Sequence, residues 1–204
     1  MFGVADVSSI KKDFNLSKEV TKDLDKAVCV GVRLSAQIFA DVIDKPTKLY
    51  FHHYRTANMF LDQLTFKISN WIQRKKALAL PIPASQIVDW QNQNAHLSHK
   101  KIGVLAGLGW IGRSNLLVNP ESGAQFRLAT VLTDLAIKTD KPLNKDCGKC
   151  RLCIEVCPVG AIQEKSQDFK HLICFEKLKE FQKDNIVGQY ICGICVKACN
   201  SIRK

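Results

Sequence analysis

Cys147-Gly148-Lys149-Cys150-Arg151-Leu152-Cys153-Ile154-Glu155-Val156-Cys157-Pro158 packs four cysteines into eleven residues and closes on a proline. A second, broken run follows: Cys174 alone, then Cys192-Gly193-Ile194-Cys195-Val196-Lys197-Ala198-Cys199. Eight of the nine cysteines therefore lie in the last 58 residues. A cubane [4Fe–4S] cluster needs four thiolates at four corners. Cysteines three apart on a tight turn reach three corners of one cube, and the fourth, followed by proline, reaches the neighbouring cube. The spacing predicts two clusters. One takes Cys147, Cys150, Cys153 and Cys199; the other takes Cys157, Cys174, Cys192 and Cys195. Such clusters do one-electron chemistry that no side chain does alone.

The competing uses of cysteine fit less well. A structural zinc takes four ligands, usually as two CxxC pairs, and a dense run ending in Cys-Pro is not that pattern. Disulfides need an oxidising compartment. Met1-Phe2-Gly3-Val4-Ala5-Asp6 has neither a charged start nor a long apolar stretch of a secretory leader, so a cytoplasmic setting is expected. Cys29 sits in Ala27-Val28-Cys29-Val30-Gly31-Val32 and is expected to be a core residue.

With 204 residues the chain has room for one sizeable domain and a small one. No apolar stretch approaches the length of a membrane span, so no membrane association is expected. The formal net charge is +11. Two oxidised clusters with their thiolates would each subtract roughly two charges, which leaves the protein basic. An acidic electron donor, flavodoxin- or ferredoxin-like, is the partner this favours. The lysines are spread rather than clustered, so charge by itself does not point to RNA.

Val28–Val32 reads as a buried strand. Tyr50–Lys76 reads as a long helix, with Met59, Phe60, Leu64, Ile68, Trp71 and Ile72 recurring at three- and four-residue steps. Ala77–Pro83 reads as extended, and His96–Ala106 as a helix halted by glycines. Leu116–Val118 and Phe126–Leu132 flank a turn-rich loop and predict a hairpin. Ile137–Asp146 reads as a linker, and the segment after Cys174 as a helix over Phe175–Gln182 followed by a loop. The whole predicts an α+β domain over residues 1–135 and a cluster domain over residues 136–204. Gly107-Leu108-Gly109-Trp110-Ile111-Gly112 matches the dinucleotide fingerprint GxGxxG. A helix precedes it and a strand follows, the reverse of what that site needs. A sharp turn beside a large aromatic is what remains.

Ala106-Gly107-Leu108-Gly109-Trp110-Ile111-Gly112-Arg113, then Asn115-Leu116-Leu117, then Leu132-Thr133-Asp134-Leu135, then the two cysteine runs, resembles the epoxyqueuosine reductase family. The resemblance is strongest from His96 to Cys199 and traceable before it. It implies a nitroreductase-like N-terminal domain that holds cobalamin, followed by a ferredoxin-like domain with two [4Fe–4S] clusters. The family reduces an epoxide on a modified tRNA base and is related to the reductive dehalogenases. It implies cofactor contacts at Gly107, Gly109, Trp110, Gly112, Leu117 and Tyr54.

Two departures qualify it. Counting back from Ala106 without a gap, Gln93 stands where the family has its catalytic aspartate. An amide cannot donate a proton at neutral pH. Asp89, four residues away, is the substitute within reach of a shifted loop. The chain also ends soon after Cys199, which is followed by Asn200 rather than proline. The helical-repeat extension that helps the family hold tRNA is therefore expected to be missing, and tRNA is not the favoured partner. A dicluster electron carrier without cobalamin is the alternative to a cobalamin-dependent reductase. His52 and His53 beside Tyr54, and His96 with His99, are further candidates. No third metal ligand accompanies the latter pair.

Overall fold

The computed structural model describes residues 1–200. Residues 201–204, on which the expected stop after Cys199 rests, lie outside them. The fold is mixed α and β. Strands β1 (Phe2–Asp6), β2 (Lys26–Arg33), β3 (Ala79–Ile82) and β6 (Phe126–Thr133) form one sheet in the order β1-β2-β6-β3. Strands β4 (Trp110–Ile111) and β5 (Leu117–Val118) form a second, two-stranded sheet. The helices are α1 (Lys18–Thr21), α2 (Lys48–Arg74), α3 (His99–Leu105), α4 (Leu152–Glu155), α5 (His171–Lys183) and α6 (Ile194–Ala198). Among the described residues no helix is long and apolar enough to cross a membrane.

The chain divides into two compact units that do not follow its order. One comprises Met1–Val32, Ala57–Gly109 and Arg127–Leu143; the other comprises Arg33–Thr56, Trp110–Phe126 and the chain from Asn144. The first unit is built on the four-stranded sheet. Strand β1 lies antiparallel to β2, with Phe2 opposite Val30 and Asp6 opposite Lys26. Strand β3 lies antiparallel to β6, with Ala79 opposite Thr133. Val30, Leu61, Ala84 and Ala129 form a buried core, with Val28, Val32, Leu64 and Ile68 packed on it. Leu61, Leu64, Ile68 and Ile72 recur at helical steps and give α2 its inward stripe. Met59, which helped mark the helix in the sequence, falls on the opposite face, and Phe60 and Trp71 fall at the edge of that stripe. They are 59%, 52% and 51% exposed. Cys29 is fully buried, as expected of a core residue.

The predicted hairpin between Leu116–Val118 and Phe126–Leu132 is not formed. Strand β5 pairs with β4 instead, Trp110 opposite Val118 and Ile111 opposite Leu117. Strand β6 is buried along almost its whole length and lies between β2 and β3, so both its hydrogen-bonding edges are taken. An Asn119–Gly123 bridge closes the turn, but the strands part beyond it. The helix predicted to begin at Phe175 begins earlier, at His171, and carries Cys174 in its first turn. Strand β1 had no counterpart in the sequence reading.

Candidate iron–sulfur centre

The cysteine-bearing unit folds around short elements. The first run begins in a loop and enters α4, so Cys147 and Cys150 precede the helix and Cys153 lies within it. Cys199 arrives from far along the chain, at the end of α6. Cys147, Cys150, Cys153 and Cys199 line one cavity together with Gly112, Arg113, Ser114, Val118, Leu152 and Ala198. One thiol for each iron, spaced round a cavity, is the arrangement a cubane takes. Among the described residues, no three His, Cys, Asp or Glu side chains converge on a point suited to a single metal ion.

The hairpin of β4 and β5 walls this cavity. Its turn is closed by Gly112 N–H to the Leu116 carbonyl at 2.8 Å and Asn115 N–H to the Gly112 carbonyl at 2.9 Å. A β-carbon on Gly112 would stand 2.6 Å from Val118 Cγ2 and 3.4 Å from Cys147 Sγ. Glycine is therefore required by the close approach of Val118 across the hairpin, with Cys147 Sγ at ordinary contact distance beyond it. The Trp110 indole Nε1–H donates to Cys147 Sγ at 3.4 Å. Arg113 donates through Nη2 to the Gly148 carbonyl at 2.9 Å and through Nε to Glu164 at 3.3 Å. Glu164 also pairs with Arg151 at 2.5 Å. These bonds tie the Cys147–Cys150 loop to the hairpin.

The second set of thiols comes from three places: Cys157 after α4, Cys174 in α5, and Cys192 and Cys195 around the start of α6. Ala161 N–H donates to Cys157 Sγ at 3.3 Å. Burial pushes the Cys174 thiol up to about 11, and the charges of Cys192 and Cys157 add to it. Burial likewise raises Cys192, with Cys157 adding to it. It raises Cys195 furthest, followed by the fields of Cys192, Cys174, Cys153 and Cys157. In the first set, burial raises Cys199 to about 12, with Cys153, Cys147 and Cys150 as its charged neighbours. Burial also raises Cys153, while Arg113 acts in the opposite direction. Crowded, desolvated thiols of this kind keep their protons until a metal displaces them.

The remaining candidates are scattered. Gly107 (φ 68°) ends α3 in a left-handed cap, with Leu108 N–H returning to the Gly103 carbonyl at 2.9 Å. The glycine motif therefore runs from a helix end into a strand, as the sequence predicted. Gly109 precedes β4. Leu117 is 3% exposed in β5. Trp110 and Gly112 face Cys147, a role the sequence did not suggest; the only signal was their place in the family-like motif. Tyr54, half-buried in α2, stands edge-on to Tyr50 with ring centroids 6.3 Å apart. His53 accepts the Ser35 N–H at Nε2, 3.1 Å away. His96 and His99 are used separately. His96 Nδ1 lies 3.3 Å from the Asn15 carbonyl, and both nitrogens of His99 are engaged by Thr130 and Pro83.

Gln93 adopts a left-handed backbone conformation (φ 55°) and donates its amide to the Trp90 carbonyl. The Asp89 carboxylate accepts from Gln91 N–H and Asn92 N–H, both at 3.0 Å, and from the Asn92 amide at 2.7 Å. The Asn92 bonds, side chain first, lower its pKa. Asp89 is thus a turn cap held in its charged form.

The family model described as a 4Fe–4S binding domain matches residues 144–163, which contain Cys147, Cys150, Cys153 and Cys157. The chain is 30% identical over 126 residues to the epoxyqueuosine reductase of Salmonella typhimurium, covering 62% of this chain and 32% of that protein. The matched stretch thus spans about a third of that relative's length. The structure of epoxyqueuosine reductase from Streptococcus thermophilus superposes with a TM-score of 0.68 at 17% identity, over all of this chain and 62% of that one. A catabolic reductive dehalogenase superposes with a TM-score of 0.75 at 19% identity, over 98% of this chain and 29% of that one. At these identities the structural likeness is one of fold. The resemblance read from the sequence is borne out: the chain is related to the epoxyqueuosine reductases and shares their fold.

Proposed function

We propose that this relative of the epoxyqueuosine reductases is an iron–sulfur oxidoreductase that passes electrons through two [4Fe–4S] clusters to an acceptor, for which cobalamin is our candidate. The observation that carries the reading is the convergence of four thiols on one cavity, with the other four as close electrostatic neighbours. Cys147, Cys150, Cys153 and Cys199 share one cavity. Cys174 feels the charges of Cys192 and Cys157, and Cys195 those of Cys192, Cys174, Cys153 and Cys157, so the remaining thiols neighbour one another and adjoin the first set. In sequence the labour divides between a nitroreductase-like part, residues 1–135, and a ferredoxin-like dicluster part, residues 136–204, with Arg33–Thr56 and Trp110–Phe126 of the former folded into the cysteine-bearing unit. The setting is a reducing cytoplasm.

The residues present fit the clusters. The thiolates would bind the iron, Gly112 lets Val118 pack close in the hairpin beside Cys147, and Arg113 offsets negative charge beside Cys153. Bound cobalamin would supply a reducible cobalt. Support for it is relatedness to the epoxyqueuosine reductases; Trp110 and Gly112, two of the residues offered to it, face Cys147 instead. The net charge of +11 supports an acidic flavodoxin- or ferredoxin-like electron donor.

A carrier that does no substrate chemistry is the second reading. It is favoured by Gln93 at the acid position and by Asp89, which is committed to a turn and charged. A ring-opened epoxide oxygen needs a proton from a fixed point. Basic charge would attract tRNA without supplying that proton.

Anaerobic reconstitution with iron and sulfide should give a brown protein with about eight irons per chain. A colourless, fully folded, zinc-loaded protein would refute the cluster reading. Calorimetric titration of the reconstituted protein with cobalamin separates the two readings: no binding leaves the carrier. Multiple turnovers on epoxyqueuosine-bearing tRNA would refute the carrier.

A further inference from the structure

The first cage has a hydrogen-bond donor on a side chain. Trp110 Nε1–H meets Cys147 Sγ at 3.4 Å. The second cage receives a backbone donor, Ala161 N–H to Cys157 Sγ at 3.3 Å. A backbone donor comes with the fold, whereas an indole is a choice of residue. The placement of this indole is also secured from two sides. Strand pairing sets Trp110 opposite Val118. Arg113, three residues on, holds the Gly148 carbonyl at 2.9 Å and so fixes the Cys147 loop against the same hairpin. Val118 and Gly112 line the cavity beside Cys147.

We propose that the Trp110 indole N–H tunes the reduction potential of the cluster held by Cys147, Cys150, Cys153 and Cys199, raising it so that this cluster takes an electron more readily. When one electron enters, no bond breaks and no proton moves. The added charge spreads onto the thiolate sulfurs. A donor aimed at one sulfur therefore stabilises the reduced state more than the oxidised state, which is how hydrogen bonds to sulfur set these potentials. Trp110 acts through Cys147 and is a positioning and tuning residue. The inference rests on the cluster reading above.

The test is a mediated anaerobic redox titration of the reconstituted full chain, followed by EPR, comparing the natural protein with Trp110→Phe. Phenylalanine keeps an aromatic wall and removes the N–H. One of the two potentials should fall by about 59 mV, a tenfold change in the one-electron equilibrium, while the other stays. ENDOR on the reduced protein should lose one exchangeable proton coupling. A second protein, made with benzothienylalanine in place of tryptophan, removes only the N–H at this position. Trp71 and Trp90, also replaced, are exposed. Its lower potential should match that of Trp110→Phe. The inference is overturned if both potentials stay put in the isostere protein with full iron, even where Trp110→Phe itself loses a cluster. Absence of iron in the natural protein would instead remove the cluster reading beneath it.

Discussion

Acidification should destabilise this protein through one histidine. The His99 Nε2 lies 2.8 Å from the Pro83 carbonyl and Nδ1 lies 2.8 Å from the Thr130 hydroxyl. A carbonyl only accepts, so Nε2 carries the proton and Nδ1 accepts from Thr130: both nitrogens are satisfied by the neutral ring. Burial, followed by the charge of Arg127, pushes its pKa down from 6.5 to about 4, against an opposing contribution from the Pro83 bond. The folded pKa lies below the unfolded one, so the unfolded chain binds the proton more tightly. The stability contribution is complete above about pH 6.5 and is lost as pH falls toward 4. The full separation corresponds to about 3 kcal/mol, of which about 2 kcal/mol is lost by pH 5. Residual solvent contact at this residue screens the upper figure. His99→Gln keeps a donor for Pro83 and removes the titration. Urea unfolding of the reconstituted protein between pH 7.5 and 4.5 should show a steeper acid loss in the natural chain, with the difference growing to about 2 kcal/mol at pH 5. Parallel curves for the two proteins across that range would refute the reasoning. So would an NMR titration placing His99 near 6.5.

Cys150→Ser should remove one cluster and Cys195→Ser the other, each halving the iron, while Cys29→Ser leaves iron unchanged because that thiol is buried in the core; iron analysis with EPR decides. Gly112→Ala should destabilise by about 1–3 kcal/mol through overpacking and disturb the cluster at Cys147 while sparing the other, since its β-carbon would stand 2.6 Å from Val118 Cγ2. Cluster assembly should release protons and weaken as pH falls, because the Cys174 and Cys199 thiols are held up at about 11 and about 12 and must ionise to bind iron; proton uptake or pH-independent assembly would contradict this. Asp89→Asn should loosen the 88–94 turn, seen as faster amide exchange at Gln91 and Asn92, and leave both cluster signals unchanged.

The 4Fe–4S run that the family model matches was legible because its pattern is a local matter. Three thiols at two-residue gaps can converge within a single turn, and Cys153 lies inside a helix of only four residues. The long helix α2 and the buried strand β2 were legible for the same reason, since periodicity is written along neighbouring residues. The hydrogen bonding of Gln93 and Asp89 was not legible, because it depends on which way a tight turn closes. Which of the apolar residues of α2 would be buried was not legible: Met59, Phe60 and Trp71 are exposed, because apolar spacing does not say which stripe of a helix meets the sheet.

By itself the sequence determined the 4Fe–4S motif over residues 144–163, the main helices and strands, and the family likeness. Tertiary structure alone decided that β5 pairs with β4, because β6 has both edges occupied within the larger sheet. It alone brought Trp110 to Cys147, 37 residues away, and gathered Arg33–Thr56 and Trp110–Phe126 into the cysteine-bearing unit. Such partners are chosen by competition among distant surfaces for burial and hydrogen bonds, and that competition leaves no local mark in the chain.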